Sequence, residues 1–195
     1  MVVYDIIVYL KYMEYKTLDD VLKLPLYKSI FHRLPWLIIG LIGGVMAAKV
    51  VVGFEEILEK NLFLAAFIPL IVYMSDAVGT QMESFAIRDL AMHSHMKLIR
   101  YFLRQLIVVS LMGIILSVCL IFISLLMGQE IRVGITLGIS LFAAVMSSLL
   151  TGILIPYLFN RIKLDPANAS GPIATIIQDL FSVSIYFYIA SLLLN

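Results

Sequence analysis

The sequence predicts an all-α polytopic membrane protein with five transmembrane helices and its amino terminus on the cytoplasmic side. Three observations carry this. Of 195 residues, 62% are apolar and only 14% are charged, against roughly 45–50% and about 25% in soluble domains. Five segments hold enough apolar residues to cross a hydrocarbon core of ~30 Å, which takes about 20 residues per helix. The basic residues cluster in alternate loops, the pattern that keeps those loops cytoplasmic. The formal net charge of +1 offers no basic excess for nucleic acid. Cys119, the only cysteine, lies in an apolar run and reads as a structural thiol, which leaves no internal disulfide and no cysteine metal site.

The spans are expected at 34–52, 62–82, 102–127, 133–159 and 170–194. The second turns polar in its latter half, where Ser75, Asp76, Gly79, Thr80, Gln81 and Glu83 interrupt it. Pro69 breaks the same span just before that stretch, and carbonyls it frees are expected to face a cavity. Pro172 suits the first turn of the fifth span. Residues 1–33 form a cytosolic or interfacial leader, and 34–195 the transmembrane domain. Thr17-Leu18-Asp19-Asp20 has capping-box spacing, and Leu26, Ile30 and Leu34 share one helical face, as in an interfacial helix. Met1 leads into Val2-Val3-Tyr4-Asp5 without a basic n-region, so no cleavable signal peptide is expected.

Orientation follows from charge. Lys11, Lys16, Lys23, Lys28 and Arg33 precede the first span. Arg88, Lys97, Arg100 and Arg104 follow the second, and Arg161 and Lys163 follow the fourth. The alternate loops, 53–61 and 128–132, together hold more acidic than basic residues. The carboxyl terminus is therefore expected outside a cell membrane. His32, His93 and His95 lie scattered in basic loops and read as solvated surface residues.

Carboxylates inside a span are costly, by ~2.5–3.5 kcal/mol on insertion scales, and point to function. Asp76 lies 14 residues into the second span, ~21 Å from its outer end at 1.5 Å per residue. Asp179 lies nine residues into the fifth, ~13 Å from the inner end. The two depths nearly coincide in a ~30 Å core, so both carboxylates are placed to face one aqueous cavity. Oxygen ligands of this kind suit a hard divalent cation, and Mg²⁺ uses one or two carboxylates while keeping several waters. Thr80 and Glu83 share the Asp76 face, and Thr175, Ser182 and Tyr186 share that of Asp179. Candidate metal-contacting residues are thus Asp179, Asp76, Thr80, Thr175 and Glu83. Small and hydroxylated residues also form stripes: Thr136, Ser140, Ser147 and Thr151; Gly113 and Ser117; Gly40 and Gly44. For these, close helix packing and interhelical hydrogen bonds are the favoured reading.

Three stretches resemble the transmembrane domain of the MgtE family of magnesium transporters and channels. They are Arg33-Leu34-Pro35-Trp36-Leu37, Ser75-Asp76-Ala77-Val78-Gly79-Thr80-Gln81, and Leu164-Asp165-Pro166-Ala167-Asn168-Ala169-Ser170-Gly171-Pro172 followed by Asp179. The resemblance implies a homodimer in lipid, with a pathway lined by the second, fourth and fifth spans. It implies that Asp179 of both protomers binds a largely hydrated Mg²⁺, other divalent cations remaining possible. Typical bacterial members carry Gly-Asn-Ala where this chain has Asp76-Ala77-Val78, which adds a carboxylate near the pathway. The family's cytosolic regulatory domains have no counterpart in these 195 residues, so regulation is expected to be local or to come from a separate chain.

Alternatives remain open. One is an exchanger or exporter coupled to Na⁺ or H⁺ through Asp76. Another is a non-transporting membrane assembly protein. An enzyme is not expected, since His-Glu-x-x-His, Gly-x-Ser-x-Gly and paired intramembrane histidines are missing.

Overall fold

The computed structural model describes residues 25–55, 62–92, 97–162 and 166–194. The described residues are almost wholly helical and include no strand. α1 spans Leu26–Val52, α2 Leu62–Met92, α3 Leu98–Leu126 and α4 Ile131–Leu149. A π-helical turn, Leu150–Leu154, joins α4 to α5, Ile155–Arg161, and α6 spans Pro166–Leu194. α4, the π-turn and α5 act as one rod, so five helices are long and apolar enough to cross a membrane. The capping-box segment at Thr17, His93 and His95 lie outside the described residues.

The fourth span is the most buried of the five. It packs on α3 and, by its other faces, on α2 and α6. Its small residues set these distances. A Cβ on Gly138 would come within 2.5 Å of the Ile121 side chain, and one on Gly134 within 2.6 Å of Ser124 Oγ. α1 packs chiefly on α6. Gly43 is the close-approach position there, against Ile176, whereas Gly40 and Gly44 have nothing within 4 Å of a built Cβ. The expected Gly40 and Gly44 pair is therefore not the packing face within the protomer. Stacked Phe54 and Phe187 rings, 4.8 Å apart, tie the chain just beyond α1 to α6.

The helices differ from expectation in three places. α1 begins at Leu26 and passes through Pro35 without a break, so the leader helix and the first span are continuous. α2 runs ten residues past the expected end and through Pro69. Its polar stretch stays helical because Ser75, Val78, Gly79, Met82, Glu83 and Ala86 are buried against the bundle, and packing overrides weak local propensity. α6 begins at Pro166, and Pro172 lies inside it rather than in the first turn. Pro166 takes the first helical position, where a missing N–H costs nothing.

The π-turn also has a local cause. Pro156 has no N–H, and its ring would clash with the carbonyl of Gly152 in a regular α-helix. Widening the preceding turn to Leu150–Leu154 relieves that clash. Gly152 then sits directly on α2, where a Cβ would lie 2.6 Å from the Gly79 carbonyl oxygen and 2.8 Å from Met82 Cβ.

Candidate cation site between α2 and α6

Asp76, Thr175 and Asp179 come together where α2 faces α6. The Thr175 side chain lies beside the Asp76 carboxylate, and Asp76 and Asp179 are close enough to interact electrostatically. All three are partly exposed, whereas their chain neighbours Ser75 and Gln178 are buried. The carboxylates thus mark a partly exposed strip between the two helices, the α2–α6 groove. Matching depth, inferred from residue counts, is consistent with Ser75 Oγ lying 2.6 Å from Ser182 Oγ one step along the same helix pair.

Glu83 lies two turns further along α2 and is only 8% exposed. It accepts a hydrogen bond from the Ser170 hydroxyl, at the start of α6, and still feels the charge of Asp76. It therefore belongs to the same α2–α6 seam but is held against α6. Thr80 is exposed on α2, and its carbonyl accepts the Ser84 hydroxyl at 2.8 Å. Of the five candidates, three share one locus, Glu83 lies below it, and Thr80 faces outward from the protomer. Among the described residues, no three His, Cys, Asp or Glu side chains converge to hold a bare metal ion. Two carboxylates and a hydroxyl suit an ion that keeps most of its water.

Ser182 and Tyr186 have different partners. The Tyr186 hydroxyl donates to the Leu64 carbonyl at 2.7 Å, one residue before the Ala65 carbonyl that Pro69 deprives of its α-helical donor. Ser147 and Thr151 meet Gln178 rather than the groove, and the Thr136 hydroxyl returns to the Arg132 carbonyl at 2.8 Å. Of the hydroxyl stripe of the fourth span, Ser147 and Thr151 thus bond across to α6, while Thr136 bonds its own helix and the buried Ser140 hydroxyl has no hydrogen-bond partner among the described residues. Gln178 was missed. It is 1% exposed, and its amide bonds Thr151, Ser147, Ser182 and the Ala144 carbonyl. The available signal was an amide in an apolar helix, four residues before Ser182 and next to an intramembrane acid.

Residues 68–189 match the family model for MgtE, described as a divalent cation transporter. The chain belongs to the MgtE family. It is 32% identical over 167 residues to the magnesium transporter MgtE of Bacillus subtilis strain 168, covering 85% of this chain and 37% of that protein. It is 32% identical over 179 residues to the magnesium transporter MgtE of Enterococcus faecalis, covering 91% and 39%. With that of Thermus thermophilus it shares 30% over 168 residues, covering 84% and 36%. The chain therefore spans less than half the length of these MgtE relatives. The matched region contains Asp76, Thr80, Glu83, Thr175 and Asp179, so the α2–α6 groove lies within the part common to the MgtE family.

Proposed function

We propose that this chain carries a divalent cation, Mg²⁺ foremost, across a cell membrane, with Asp76, Thr175 and Asp179 binding the ion through its water shell. The observation that carries this is the pairing of two partly exposed carboxylates on two membrane-crossing helices, at depths that residue counts make nearly equal. Packing does not call for carboxylates at that depth. The names of the relatives supply the ion. Glu83 and Thr80 would line the inner part of the route. The resemblance to the MgtE family supports a homodimer whose pathway is lined by the second, fourth and fifth spans, with the two copies facing each other across this seam. The amino terminus is cytoplasmic and the carboxyl terminus extracytoplasmic, because Arg88, Arg100, Arg104 and Arg161 fall at one end of the bundle.

Purified protein in vesicles loaded with a Mg²⁺ indicator tests the reading. Wild-type protein should give Mg²⁺ flux, and Asp179→Asn should reduce it strongly while eluting as folded protein. Asp179→Asn at the wild-type rate and affinity would refute it. The extra carboxylate at Asp76 also supports a second reading, exchange against Na⁺ or H⁺. That reading requires flux to reverse with an imposed Na⁺ or pH gradient, whereas a simple pathway follows the Mg²⁺ gradient alone.

A further inference from the structure

Asp76 and Asp179 each follow directly on a buried polar residue, and those two residues belong to one hydrogen-bond cluster. Gln178 Oε1 accepts from the Thr151 hydroxyl at 2.7 Å. Its Nε2 reaches the Ala144 carbonyl at 3.2 Å, Ser147 Oγ at 3.1 Å and Ser182 Oγ at 3.0 Å. Two N–H groups serve three acceptors, so one is shared. Ser182 Oγ donates to the Gln178 carbonyl at 2.7 Å and lies 2.6 Å from Ser75 Oγ. The cluster joins α2, α4, the π-turn and α6. Gln178, Ser75 and Ser182 are all at or below 1% exposure.

Resting on the assignment of Asp76 and Asp179 to the cation, we infer that Gln178 is a positioning residue: its clasp with Ser75, Ser147, Thr151 and Ser182 sets the rotation of α2 and α6 that aims both carboxylates at one ion. A helix turns about 100° per residue. Pinning Gln178 and Ser75 inward therefore turns Asp179 and Asp76 out to the groove by geometry alone. Apolar side chains resist axial rotation poorly in lipid, because neighbouring tails are as apolar as the helix they replace. A buried amide with every group paired has one satisfied orientation. The clasp touches no ion. It acts by holding ligand positions within the tolerance of roughly 0.5 Å that a binding constellation needs.

The test is Mg²⁺ flux in reconstituted vesicles, read as KM, maximal rate and the preference for Mg²⁺ over Ca²⁺. Gln178→Met keeps the length of the side chain and removes all its hydrogen bonds. Loss of groups that support metal ligands costs 10–100-fold in affinity, so KM should rise about tenfold and the ion preference should fall, with the maximal rate changed less. A merely structural amide would lower the yield or the maximal rate and leave KM and preference at wild-type values. That result, in protein eluting as folded, would overturn the inference. If Gln178→Met does not fold, Ser147→Ala with Thr151→Val removes the partners on the fourth span and is judged by the same two readouts. Asp179→Asn run in parallel separates the two levels. Wild-type KM there refutes the assignment of Asp179 itself. Impaired Asp179→Asn beside an unaltered Gln178→Met refutes only the clasp.

Discussion

At the scale of single residues, burial and partner chemistry divide the acids of α2 into two kinds. Asp76 is partly exposed and lies beside Thr175. Glu83 is buried and takes a hydroxyl from Ser170. A buried carboxylate that loses a donor retains its desolvation cost, about 1–3 kcal/mol for such a group. Ser170→Ala should therefore lower the melting temperature in detergent by several degrees, while Ser84→Ala, exposed and bonded to the Thr80 carbonyl of its own helix, should not. Equal melting temperatures for the two variants would show that the Ser170 hydroxyl does not support Glu83. The two groove acids were legible in the sequence because a charge in an apolar helix stands out, and counting residues gives its depth. Gln178 was not legible. An uncharged amide carries no comparable penalty on sight, and apart from Ser182 its partners come from α4 and the π-turn, 27 to 34 residues away in sequence.

Among the helices, the second and fourth spans are held closest at Gly79 and Gly152. The π-turn brings Gly152 there, and Pro156 brings about the π-turn. Gly152→Ala would set a methyl 2.6 Å from a backbone carbonyl that cannot swing aside. It should cost about 1–3 kcal/mol through forced separation of the helices. Gly44→Ala, with open space around its Cβ within the protomer, should be neutral or slightly stabilising, since alanine suits a helix better than glycine by roughly 0.5–1 kcal/mol. Thermal melts of the two purified variants check the pair. Pro156 stands in the sequence and brings about the widening locally, but the helix that the widened turn meets, α2, is encoded by no local pattern. The polar half of α2 likewise read as an interruption, because its stabilising contacts come from the π-turn and α6 rather than from its own residues.

For the whole molecule, hydropathy and charge alone carried the class, the five spans and their order. Each lipid-crossing helix must satisfy its own backbone, which leaves little choice of structure. The relative rotation of the helices was not legible, since it follows from small residues and buried polar pairs acting across the bundle. The described groove uses residues from α2 and α6 only, and the stretch that matches the MgtE family model begins at residue 68. Removal of residues 1–24 should therefore leave Mg²⁺ flux in vesicles largely intact. A folded but inactive truncated protein would show that the leader takes part in transport.

The central claim is that Asp76 and Asp179 act on one ion. A double-mutant cycle on KM for Mg²⁺ flux, with Asp76→Asn, Asp179→Asn and the combined variant, measures this directly. Residues sharing one ligand are coupled, whereas independent sites add. Each single substitution should raise KM, and the combined variant should be much less impaired than the sum of the two. Strict additivity, or a wild-type KM in either single variant, would contradict a shared site.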